Sequence, residues 1–265
     1  MIPYQHWYGI MSNFIQLRGG MKTVAFHLQK GGVGKTTLSG TMAYEASLNG
    51  KTLLIDCDPQ GSASGWFLSK TNHELADVLT GKDTINDAIE NMFPNLDILP
   101  TAGLDGGLNP YKETALTNEP LIFCNLFDEL KKIGYDYIVA DLSPGIGILE
   151  TAVLAACDEV VTPMIPEYFA LDGIQIFTNE LAKLKGELKK GAIHNIIALN
   201  AFDARIKQHR EIAEEVKQLP YTVITIPVDP VFRKSQAKGV APQNFGGMKP
   251  ATEEAIKKMG DLLWH

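Results

Sequence analysis

The chain has 265 residues, 45% of them hydrophobic, and a formal net charge of −7. That length suits one well-buried domain, the 24 glycines suit a fold rich in tight strand-to-helix turns, and the acidic total argues against a uniformly basic protein. Cys57, Cys124 and Cys157 are too widely spaced for a disulfide framework or a zinc site. No stretch approaches the apolar length of a spanning helix, and the first residues lack the charged start and apolar run of a signal peptide, so a reduced, cytoplasmic setting is expected.

Met1, Met11 and Met21 all occur, and the first core strand begins at Met21. Residues 1–20 are therefore expected to be a disordered arm or an over-extended start, the other reading being an aromatic docking segment through Tyr4, Trp7, Tyr8 and Phe14. Residues 21–265 are expected to form one domain.

A strand over 22–28 leads into Lys30-Gly31-Gly32-Val33-Gly34-Lys35-Thr36-Thr37. Small residues between a strand and a helix let successive backbone N–H groups turn inward around an anion, at the positive end of the helix that follows. The common phosphate-binding loop has glycine at the position of Gln29, so this is a deviant form with an extra lysine, Lys30. Lys35 is expected to reach the β- and γ-phosphates of a nucleoside triphosphate and the Thr36 hydroxyl to ligate Mg²⁺. Lys30 reads as a second charge neutraliser or as a solvated loop lysine.

The helix after the loop places Leu38, Met42 and Ala46 toward a sheet and stops at Asn49-Gly50. A buried parallel strand over 51–56 ends in Asp56-Cys57-Asp58-Pro59-Gln60-Gly61, with carboxylates at alternate positions. Helical patterns over Glu74 to Leu79 and Thr84 to Asn91 follow, then a short strand from Leu96 to Leu99 and a Gly- and Pro-punctuated loop from Thr101 to Pro120. Helix 121–133 and strand 135–140 lead to Asp141 and the turn Ser143-Pro144-Gly145. Helix 147–156, strand 159–165, helix 172–189, strand 193–200, helix 206–218, strand 221–226 and a last helix over 250–263 complete the alternation. That alternation predicts an α/β fold, a single doubly wound, mostly parallel sheet with helices on both faces.

Ligands in such sheets collect at the carboxyl ends of strands, so Asp56, Asp58 and Asp141 should converge on the loop. Asp141 is expected to hold Mg²⁺ through water and Asp58 to orient an attacking water, with Asp56 a further candidate around the metal. Each aspartate also reads as a cap of a helix or turn. Asn200, at a strand end, reads either as a contact to a base edge or as a turn residue, and Pro227 and Asp229 begin a loop expected to flank the base.

Together these segments resemble the ParA/MinD family of deviant-Walker ATPases, and the ParA (Soj-like) branch most closely, over residues 21 to about 262. Lys30 to Thr37 is similar to the signature loop, Asp56 to Gly61 to switch I, and Asp141-Leu142-Ser143-Pro144-Gly145 to switch II. Pro166-Glu167-Tyr168-Phe169-Ala170-Leu171-Asp172-Gly173 is similar to a segment that separates this branch from its relatives. Ser143 departs from the family's usual proline. The resemblance implies an ATPase in which ATP drives two subunits face to face, Lys30 crosses to the partner's phosphates, and Asp58 positions water. It further implies non-specific DNA binding by the dimer, stimulation of hydrolysis by a ParB-like protein, and a cytoplasmic, nucleoid-associated location with no stable membrane association.

Charge distribution adds to this. Residues 183–238 carry eleven Lys/Arg against six acids, +5, leaving −12 elsewhere. Such a patch reads as phosphate-backbone contact or as a solvated helix face with pairs such as Arg210 and Glu214. The resemblance points to Arg205 and Arg233, with Lys234 beside it, as DNA contacts.

Three other functions compete. A MinD-like membrane-associated regulator of cell division needs a C-terminal amphipathic helix, which Gly260 and Asp261 interrupt. An Fe–S electron carrier needs cysteines that bridge a cluster between subunits, and neither Cys124 nor Cys157 falls there. The third keeps the same ATPase cycle but positions a protein cargo.

Overall fold

The computed structural model describes residues 20–264 apart from 115, 117, 118, 120, 169 and 190. One sheet organises the chain: β1 (Lys22–Phe26), β2 (Thr52–Cys57), β3 (Glu90–Phe93), β4 (Leu96–Leu99), β5 (Tyr137–Leu142), β6 (Glu159–Met164), β7 (Ile193–Phe202) and β8 (Thr222–Pro227), in the order β3-β4-β2-β5-β1-β6-β7-β8. All neighbours run parallel except β3, which pairs antiparallel with β4 at the edge. The central strands are apolar runs because both faces are covered, and every residue of β2 is buried.

The strands' two-residue period sorts side chains into two cores. On one face Ala25, Ile55 and Ile138 meet α6 (Ile122–Ile133), α7 (Ile148–Ala156), α8 (Ala170–Leu188) and α9 (Lys207–Lys217) through residues such as Phe127, Val153, Phe177 and Ile212. On the other, Val24, Phe26, Leu54 and Val139 meet α1 (Lys35–Ser47) through Leu38, Met42 and Ala46, as their spacing predicts. The last helix, α12 (Pro250–Trp264), packs there too, burying Ile256, Met259, Leu263 and Trp264. Among the described residues no helix is long and apolar enough to cross a membrane.

Several local expectations are overturned. The pattern over Thr84 to Asn91 forms only α4 (Ile85–Ala88), closed by Thr84 and Asp87, and Glu90 onward becomes β3 because β4 offers a free edge to pair with. The expected loop from Thr101 contains a 3₁₀ turn, Gly103–Asp105, and α5 (Leu108–Thr114), whose Leu108 and Tyr111 are buried one turn apart. Four short helices went unread: α2 (Ser62–Phe67), α10 (Val231–Gln236) and α11 (Pro242–Phe245), besides α5, with α3 (Leu75–Leu79) close to expectation. Each is only about one to two turns long, too short for a periodic signal.

His27 and His194 flank Phe177 in the α8-side core, with ring centroids 5.0 and 5.2 Å from it. Burial pushes their pKa values down to about 3 and about 4 respectively. A depressed histidine contributes stability that is complete above the unfolded value of about 6.5 and is lost as pH falls toward the folded value. The unfolding free energy from urea denaturation should therefore drop below pH 6.5, by up to about 1.4 kcal/mol per pH unit for each histidine, and His194→Gln should flatten that slope. An identical slope in the variant would show that His194 is not charged on unfolding.

Candidate functional site

The chain leaves β1 with the His27 N–H donating to the Val161 carbonyl at 3.0 Å, then turns through residues 28–34 into α1. Gly34 sits at φ 96°, and a Cβ there would lie 2.2 Å from Asn200 Nδ2, so only glycine fits. No side chain caps α1. Its first backbone N–H groups are thus left for an anion at the positive end of the helix.

Lys35 is buried, and its ammonium donates back across the loop to the Lys30 carbonyl at 3.0 Å. Burial lowers its pKa, while Asp141 and Asp58 pull the other way. Both carboxylates therefore belong to the same electrostatic centre. Asp141 is the penultimate residue of β5, in register with Phe26 of β1 and Asp56 of β2. Both its oxygens are buried without a hydrogen-bond partner, although the Thr36 and Ser39 hydroxyls are near enough to favour its charged form. Burial, then the neighbouring Asp56, push its pKa up. A hydroxyl facing an orphaned buried carboxylate beside a lysine fits a hydrated Mg²⁺, with Thr36 and Asp141 as the residues to hold it.

Asp56 is placed differently from the expectation of a metal ligand. One oxygen accepts from the Ser64 amide and hydroxyl, both at 2.7 Å, and the other from the Asp58 amide at 3.2 Å. Its carboxylate ties the start of α2 to the Asp56–Gly61 segment, which is the capping reading; toward Asp141 it acts as a neighbouring charge. Asp58 has one oxygen occupied by the Gln60 amide at 2.9 Å and carries no hydrogen bond on the other among the described residues. Burial is the main cause raising its pKa.

Sequence reasoning missed Glu150, a buried carboxylate that accepts from the Ser143 hydroxyl and from the Gly147 amide at 2.8 Å. It fixes the switch II turn to α7 and influences Asp58 electrostatically. The spacing of Gly147 and Glu150 across a helix start was a legible capping signal.

Lys30 pairs with the exposed Glu167 instead of lying in the pocket beside Lys35. In the segment that contains Glu167, Phe169 lies outside the described residues. Asn200 meets the loop rather than open space: its Nδ2 donates to the Val33 carbonyl at 3.0 Å. A register shift between Leu199 and Phe202 and a left-handed Ala201 at φ 51° aim it there. Asn200→Ala should loosen the loop and weaken ATP and GTP binding alike by about tenfold in a fluorescent-nucleotide titration. A loss confined to ATP would make Asn200 a base reader instead. Pro227 closes β8 opposite Phe202. Asp229 lies in the loop after β8, its carboxylate accepting from the amides of Val231 (3.0 Å) and Lys249 (2.9 Å) and from the Thr252 hydroxyl (2.8 Å), so it braces that loop.

In the basic window Arg205 is bound to Asp203, Lys207 pairs with Glu211 at 3.2 Å and Lys217 with Glu214 at 2.7 Å. Arg210 donates to the Ala204 carbonyl rather than to Glu214. Arg233 and Lys234 on α10 are exposed and make no ion pair among the described residues. The three cysteines are buried, and no metal-binding His/Cys/Asp/Glu cluster occurs among the described residues.

A parallel sheet with a glycine loop between β1 and α1, a buried lysine and a strand-end aspartate together define a P-loop nucleoside triphosphatase. The chain matches the family model described as an AAA domain over residues 21–193. It is 34% identical over 197 residues to the chromosome-partitioning ATPase Soj of Treponema pallidum, covering 74% of this chain and 77% of that one. Among solved structures it is similar to the ATP complex of a Cyanothece McdA variant, with a TM-score of 0.81 at 17% identity over 92% of this chain and 96% of that one. It is also similar to the Mg-ADP complex of the septum site-determining protein MinD from Pyrococcus horikoshii, with a TM-score of 0.73 at 24% identity over 91% and 95%. The chain belongs to the ParA/MinD family of ATPases, close to its Soj/ParA branch.

Proposed function

We propose that the chain is a DNA partition ATPase of the ParA type. Mg·ATP joins two copies face to face, the dimer binds DNA without sequence preference, and a ParB-like partner stimulates hydrolysis so that plasmid or chromosomal DNA is segregated. The observation that carries this reading is the division of labour between two lysines of one loop: Lys35 is buried against the loop, whereas Lys30 is held outside by Glu167. A lysine that does not fold back onto its own phosphates is available to a facing copy. Leu104, Tyr168 and Ile176 are exposed apolar residues on loops and a helix that follow the carboxyl ends of β4 and β6, as a covered face requires.

Within this reading each residue has a task. The loop amides from Gly31 to Thr37 and the Lys35 ammonium bind the phosphates, and Asp58 orients the water that attacks the γ-phosphorus. When bound, Mg²⁺ offsets negative charge on the phosphate oxygens, with Thr36 and Asp141 as its holders. Asn200 positions the loop. In the intact dimer Lys30 of the partner subunit completes the charge around the γ-phosphate.

Glu167→Gln should release Lys30 and raise the dimer fraction at limiting ATP by about threefold, a surface ion pair being worth up to about 1 kcal/mol. Size-exclusion with light scattering reads this, and an unchanged fraction would mean that the pair does not compete with dimerisation.

For DNA, Arg233 and Lys234 are exposed cations with no ion pair among the described residues, and binding should fall steeply with salt. Arg233→Glu should weaken ATP-dependent retention of a random-sequence duplex about tenfold or more while leaving ATP binding intact. Salt-sensitive binding that survives the change would remove α10 from the interface. The apolar face of α12 is spent in the core, which favours a DNA surface over a lipid one.

A further inference from the structure

The ring of His27 lies fully buried against Phe177, and neither of its nitrogens has a hydrogen-bond partner. A neutral imidazole still carries one N–H, and burial with Lys35 nearby keeps this ring neutral. Unpaired buried donors are rare in folded proteins because they give up water and gain nothing. The parallel register that pairs Phe26 of β1 with Asp141 of β5 brings the backbone just past Asp141, at Ser143, beside His27, and that backbone favours a proton on the ring although neither ring nitrogen is hydrogen-bonded. Beyond Ser143 the turn is already anchored: the Ser143 hydroxyl and the Gly147 amide both donate to Glu150 at the start of α7. The switch II turn is thus tied on its helix side and has one unmade contact toward the strand that carries the phosphate loop.

We propose that His27 is a positioning residue that couples the phosphate loop to switch II, its ring N–H donating to the Ser143 carbonyl when the turn closes over a bound nucleoside triphosphate. The open form holds an unpaired donor and the closed form pairs it, so the pair biases the turn toward closure and aligns Asp141 with the loop. Only hydrogen bonds are exchanged; no proton changes owner. The Glu150 anchor makes this effective, because a turn fixed at one end pivots as a unit. The inference rests on the reading of this site as a nucleotide switch, and nucleotide binding is therefore measured separately.

The test follows the histidine ring resonances of the full chain, labelled with ¹⁵N-histidine, in the free form, with Mg·ADP and with Mg·ATPγS. Binding of both nucleotides is confirmed by calorimetry, and His27 is assigned through its contacts to Phe177. With ATPγS the His27 ring N–H should exchange with water about tenfold more slowly than with ADP, the value of one net hydrogen bond. Equal exchange in the two complexes would overturn the inference, whereas absence of calorimetric binding would instead remove the nucleotide reading of the site. The second arm is His27→Phe, which keeps a ring against Phe177 but has no N–H. It should hold ADP within about twofold and lower turnover about tenfold at saturating ATP, with partial recovery in His27→Gln. Turnover equal to the unaltered protein, or a KM change with no change in kcat, would equally defeat it.

Discussion

Lys30→Ala is expected to bind Mg·ATP as a monomer and to lose ATP-dependent dimerisation, with turnover down by about 10³-fold or more, the range for a cation donated in trans to a transferring phosphoryl group. The loop backbone, Lys35 and Thr36 are unchanged in this variant, so affinity for ADP should stay within about threefold. The asymmetry comes from geometry: Lys35 Nζ reaches across its own loop to the Lys30 carbonyl, while the Lys30 side chain pairs with Glu167. Light scattering with and without Mg·ATP reads the outcome directly. A full complement of dimer in the variant would refute the trans assignment and leave Lys30 a surface lysine.

Asp58→Ala is the second large effect. It should bind ATP and form the dimer yet hydrolyse about 10²- to 10⁴-fold more slowly, since a positioned carboxylate that orients and deprotonates water contributes on that scale. Asp58 suits this because one of its oxygens is pinned by the Gln60 amide and the other carries no hydrogen bond among the described residues, and because both oxygens of Asp56, two residues earlier, already accept hydrogen bonds. Single-turnover hydrolysis of a preformed complex separates loss of chemistry from loss of binding. Should the variant turn over normally, the water must be oriented elsewhere, and Glu150 is a further carboxylate that influences Asp58 electrostatically.

Legibility from sequence followed how far a feature depends on its own neighbours. The phosphate loop, the two aspartate-terminated strands and the alternation of strand and helix could be read directly, because glycine conformations, apolar runs and helix starts are imposed within a few residues. The strand-end position of Asp141 was readable for the same reason. Roles of individual acids were less so: Asp56, Asp58 and Asp229 look alike in the chain, and only their hydrogen bonds show which carboxylates are full. The short helices α2, α10 and α11 left no periodic trace, and β3 took the place of a helical pattern because an edge was open beside it.

By itself, then, the sequence determined that this protein is a deviant-Walker ATPase with a doubly wound sheet, since that follows from backbone requirements written locally around Lys30 to Thr37. Tertiary structure alone decided which groups stand guard over the loop. Asn200 reaches Val33 across 167 residues of chain, and Lys30 meets Glu167 across 137. Contacts so distant leave no pattern in the chain, because they exist only after the sheet has set the order and register of its strands.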